Sequence, residues 1–149
     1  MNTSARFSNS ANWLQTVKQE GFYFRQVGIF VIAIGFYLHL TRLFVGDTIL
    51  IGYILTPLFD QLFAIPMAYA GMAGILSWKR MEFRSNAHKA FVCFIVIYIT
   101  VSIPIHVATY FTHSTEFTRM FPIWLSAVYL PFFTAVIIAL LRLRYKDVH

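Results

Sequence analysis

Cysteine is nearly missing: Cys93 is the only one in 149 residues, so the chain can form neither an intramolecular disulfide nor a multi-thiolate metal centre. Charge is scarce as well, at 12% of residues, with six acidic side chains against twelve Lys and Arg. The sequence contains no glycine-rich phosphate loop, no serine-histidine-aspartate set and no HExxH motif, which leaves nucleotide-dependent and conventional hydrolytic chemistry without a basis. It also has no internal repeat, no low-complexity tract and no pair of similar halves of the kind that builds inverted-repeat transporters.

What remains is apolar. Hydrophobic residues make up 58% of the chain and the mean hydropathy is +0.65, values that belong to an integral membrane protein rather than a soluble domain. The 16 Phe, 8 Tyr and 3 Trp supply lipid-facing bulk, interface anchors and walls for a flat cofactor. Cys93 is expected as a small buried hydrophobe.

The net charge of +6 does not signal nucleic acid, because the charges flank the apolar runs. Arg6, Lys18 and Arg25 precede the first run, Lys79, Arg80, Arg84 and Lys89 lie in the middle connection, and Arg142, Arg144 and Lys146 follow the last. The other two connections carry little positive charge, with Asp47 in one and Glu116 and Arg119 in the other. This alternation is the positive-inside pattern, and it predicts both termini and the middle loop on the cytoplasmic side of a bacterial-type inner membrane.

The pattern predicts an all-α polytopic membrane protein: one domain over 1–149, with four transmembrane helices in an up-down-up-down bundle. Residues 1–25 form a cytoplasmic or interfacial segment, in which 11–19 reads as a short helix lying on the leaflet or else as a frayed tail. Spans are expected at 27–45, 90–112 and 121–141, with Pro122 in the first turn of the last span and Pro131 kinking its middle. Trp78 and Trp124 fall near interfaces.

The second span has two readings. A helix over 49–78 would be about 45 Å long. A helix beginning at Thr56 as N-cap with Pro57 at the first position would be about 33 Å, which fits the bilayer. The second is preferred, and it moves Asp60 from mid-membrane into the first helical turn. Ala70, Gly71 and Gly74 then form a small-residue face suited to close helix approach.

Ionisable groups inside a bilayer are costly, and those retained usually face a bundle interior. His39 lies six residues before Val45 and His106 six before Thr112, so each sits about 9 Å below its helix end. On diagonal helices at one depth, two imidazoles can supply axial ligands for a b-type haem. Gly35 would let the macrocycle approach the backbone and Arg42 would pair with a propionate. This layout is similar to that of the four-helix membrane cytochromes b, and quinol is the natural electron partner. The leading expectation is therefore a small redox protein.

Two other classes stay open. An accessory subunit of a larger membrane complex, or a small homo-oligomeric channel, accounts for the lack of a soluble domain and for the small-residue face. Alternatively, His39, His106 and Asp60, with His113 or Glu116, form a nitrogen–oxygen site for a transition metal or a proton relay in an enzyme or transporter. Structural alternatives stand beside these: interhelical hydrogen bonds for the histidines, and for Asp60 an ion pair with Arg42 or a helix-dipole interaction. Gln61 adds a donor and an acceptor beside it. His88 and His149 are expected in solvent.

Overall fold

The computed structural model describes residues 22–50, 54–112 and 122–146. Four helices dominate: α1 (Phe22–Ile49), α2 (Pro57–Ser77), α3 (Asn86–Thr112) and α4 (Ile123–Leu141). Each is long and apolar enough to cross a membrane. Their outer faces carry large apolar side chains such as Phe44, Ile65, Leu76, Val101 and Leu141, a coat suited to lipid rather than water. The predicted surface helix at 11–19 lies outside the described residues.

Local chemistry sets the helix ends. Thr56 caps α2, its Oγ1 accepting from the Phe59 N–H at 3.1 Å, and Pro57 occupies the first position. The shorter reading of the second span therefore holds. Gly46, at φ 77°, interrupts α1 where the Gly-Asp turn was expected, since the left-handed region is open to glycine at little cost. α4 starts one residue after Pro122, so this proline is the N-cap rather than part of the first turn.

α1 packs chiefly on α4 and α2, while α3 packs closely on α2 and more sparsely on α4. The helices thus close a ring in which α1 and α3 are diagonal. At the core, Phe24, Val92, Ile95, Ile99, Val136 and Leu140 are buried. Two glycines permit the tightest approach: a Cβ on Gly71 would meet Thr100 Oγ1 at 2.9 Å, and one on Gly74 would meet Val96 Cγ2 at 2.8 Å. The small-residue face of α2 is thus where α3 docks.

A second set of ties was not foreseen. After the 3-10 turn Trp78–Arg80, strand β1 (Met81–Glu82) pairs antiparallel with β2 (Arg144–Tyr145), setting Met81 opposite Tyr145 and Glu82 opposite Arg144. The Lys146 N–H donates to the Arg80 carbonyl at 2.9 Å, and Arg25 donates to the Leu143 carbonyl at 3.2 Å. His88 was expected in solvent. Instead its Nδ1 accepts from the Arg84 N–H at 3.1 Å and its Nε2–H donates to the Ala139 carbonyl at 3.0 Å. The neutral Nε2–H tautomer satisfies both bonds.

Candidate functional site

The α2 start governs the site. Because the helix begins at Pro57, Asp60 falls in its first turn, where a carboxylate is favoured by the helix dipole, and its side chain turns inward to 1% exposure. From α3, His106 is 6% exposed, and its Nδ1–H donates to the Asp60 carboxylate. The carboxylate holds the imidazole in one orientation and leaves Nε2 as the ring nitrogen not engaged by it, the arrangement by which carboxylates set the tautomer of working histidines. Phe63 meets the imidazole edge-on with ring centres 5.6 Å apart.

His39 of α1, 4% exposed, is held by α4. Its Nδ1 shares a 2.9 Å hydrogen bond with Ser126 Oγ, and its ring lies parallel to Tyr129 at 4.8 Å between centres, 2° from coplanar. Phe133 packs against it at 5.5 Å. His39 and His106 line one cavity of about 180 Å³, together with Gly35, Asp60, Ser102, Tyr98 and the aromatic rings of Phe59, Phe63, Tyr129 and Phe133. Leu55, just before the Thr56 cap, also lines it. Leu55 packs with Leu50 against Leu38, and its N–H donates to the Leu50 carbonyl at 2.8 Å.

Several expected roles fall differently. Arg42 is buried, at 1% exposure, and makes a two-pronged ion pair with Asp47, one arm of which is 2.9 Å. The group seen pairing with it is thus Asp47, five residues on in the same helix. Gly35 admits the Phe133 ring, whose Cε2 lies 3.1 Å from where a Cβ would stand. His113 and Glu116 lie outside the described residues. Among the described residues, no group of three or more His, Cys, Asp and Glu gathers in a metal-holding cluster. Cys93 is exposed on α3 rather than buried.

The donor set suits a haem in chemistry, since each imidazole has its Nδ1 held by a neighbour as axial ligands usually do. It does not suit one in space. Ligand pockets for cofactor-sized molecules run to about 300–1,000 Å³, and here Phe133 fills the place opposite Gly35. An apolar cavity of about 150 Å³ admits one benzene ring, so a space of about 180 Å³ corresponds in size to a single substituted ring.

Ser126 and Tyr129 were missed from sequence. Ser126 is a small polar residue in a very apolar span, and Tyr129 lies three residues on, on the same helical face; that pairing was the available signal. Compared with family models, characterised proteins and solved structures, the chain matches none.

Proposed function

We propose that this protein is a proton-coupled, multi-pass membrane protein that binds a small ring compound dissolved in the bilayer, of the quinone class, between His39 and His106. The observation that carries the reading is the buried His106–Asp60 pair opening on the same cavity as His39. Aromatic walls match a flat ring, the volume matches one ring, and imidazoles from diagonal helices match polar groups on opposite edges of it. Asp60 orients His106 through Nδ1, so the imidazole can pass a proton to or from the ring when the ring changes protonation. His39, steadied by Ser126 and stacked on Tyr129, supplies the opposite hydrogen bond. Val101 and Phe59 line the cavity and are also exposed on the apolar outer surface, which supports entry from the lipid. Electrons for any redox step come from a partner protein, consistent with a role as a subunit of a membrane complex.

The ties joining the starts of α1 and α3 to the ends of α2 and α4 support an up-down-up-down order. The distribution of Lys and Arg supports a bacterial-type inner membrane with cytoplasmic termini.

Haem b ligated by His39 and His106 is the second reading, favoured by the held Nδ1 atoms and requiring Phe133 and Tyr129 to move apart. The test is equilibrium binding of a short-chain quinone to purified protein, with an absorption spectrum and metal analysis on the same sample. Saturable binding lost in His39→Phe and His106→Phe supports the proposal. A stoichiometric Soret band removed by the same variants replaces it with haem.

A further inference from the structure

At the end of the molecule where β1 meets β2, a separate pocket of about 250 Å³ is lined by Glu82, Phe83, Arg84, Arg142 and Arg144. The β pairing builds it from two distant stretches of sequence: Glu82 stands opposite Arg144, Arg142 directly follows the last residue of α4, and Arg84 is held by its N–H bond to His88. Three arginines and one glutamate thus line it, all four exposed, for a net lining charge of +3 − 1 = +2. None of the three makes an ion pair with any described residue. Gathered on one concave surface, their positive charges add to a local field that attracts an anion.

We propose that this pocket binds a phosphate-bearing anion, independently of the ring site. Arginine presents a planar fork of donors that matches phosphate oxygens two at a time. The pocket lies where two apolar helices end, the level at which basic pockets meet anionic lipid head groups. The shared chemistry is a phosphate monoester or diester, brought by such a lipid or free in solution.

The test uses the full chain in mild non-ionic detergent, titrated with short-chain phosphatidylglycerol, with phosphatidylcholine of the same chain length, and with inorganic phosphate. Trp78 is the reporter: its ring centre is 5.1 Å from that of Phe83, which lines the pocket, and a Trp13→Phe/Trp124→Phe background isolates its fluorescence. Phosphatidylglycerol should saturate at one per chain while phosphatidylcholine does not. Each of Arg84→Gln, Arg142→Gln and Arg144→Gln should weaken binding about fivefold, and the three together about 100-fold. The triple Lys replacement, which keeps the charge, guards against mistaking misfolding for lost binding and should retain most of the affinity. Displacement of the lipid by millimolar phosphate assigns the site to the anion itself; lipid binding that resists phosphate assigns it to the head group. The proposal is overturned if the two lipids bind alike, or if Lys79→Gln, a charge removed outside the pocket, weakens binding as much as the pocket variants.

Discussion

Substituting Asp60 tests whether His106 and Asp60 are a working ion pair or an ordinary interhelical contact. Both are almost wholly buried, at 6% and 1% exposure respectively, so solvent screens the pair little. Removing one member of a buried pair typically costs about 3–5 kcal/mol, whereas an average interhelical hydrogen bond in a membrane protein contributes about 0.6 kcal/mol. Asn at position 60 still accepts from the His106 Nδ1–H, which puts Asp60→Asn near the low end, about 3 kcal/mol. A double-mutant cycle with His106→Gln isolates the pairwise part. Unfolding in mixed micelles of rising denaturing-detergent content should give a coupling of about 2 kcal/mol, some thirtyfold in the folding equilibrium. The neutral His39–Ser126 bond is an internal comparison and should couple by about 0.6 kcal/mol. A His106–Asp60 coupling no larger than that refutes the argument, because the carboxylate would then hold nothing that a neutral partner does not.

Other outcomes follow from the packing. Gly74→Ala, which drives a methyl group against Val96 and Phe24, should destabilise by about 1–3 kcal/mol through overpacking. Gly46→Ala has no atom within 4 Å of the new Cβ and should cost about 1–3 kcal/mol through backbone conformation alone, since φ 77° with ψ 172° is a region essentially restricted to glycine; unfolding of the two variants measures both. Thr56→Ala should cost about 1 kcal/mol by removing the α2 cap, and it should also weaken ligand binding because that cap fixes the turn carrying Asp60. Burial pushes the Tyr145 phenol up to about 12 from its ordinary 10.0. A raised folded-state pKa means that this stabilisation of the β1–β2 tie is complete below pH 10 and lost as pH rises towards 12; tyrosinate absorbance of the wild type against Tyr145→Phe reads it directly.

The sequence carried the spans well because hydropathy, flanking charge and helix-end chemistry all act locally. Thr56 and Pro57 marked the start of α2, and with it the turn that carries Asp60; Gly71 and Gly74 marked the α2–α3 contact. The matched positions of His39 and His106 anticipated a shared cavity. Which partner each imidazole takes was less legible, because partners are chosen by helix rotation. Asp60 pairs with His106, and Arg42 with Asp47 five residues away on the same chain segment. Arg42 and Gly35 were read as haem contacts from spacing alone, which does not show that Asp47 and Phe133 fill those places. The β1–β2 tie was hidden for another reason: two-residue strands joined across the whole length of α3 and α4 leave no periodicity to detect.

The central claim is that one ring compound binds between two imidazoles inside the bundle. Equilibrium binding of a short-chain quinone to purified wild-type protein, His39→Phe and His106→Phe tests it most directly. The account predicts saturation at one ligand per chain in the wild type and loss in both variants, whose larger rings fill the cavity. Absence of saturable binding in the wild type, or binding unchanged in both variants, contradicts it.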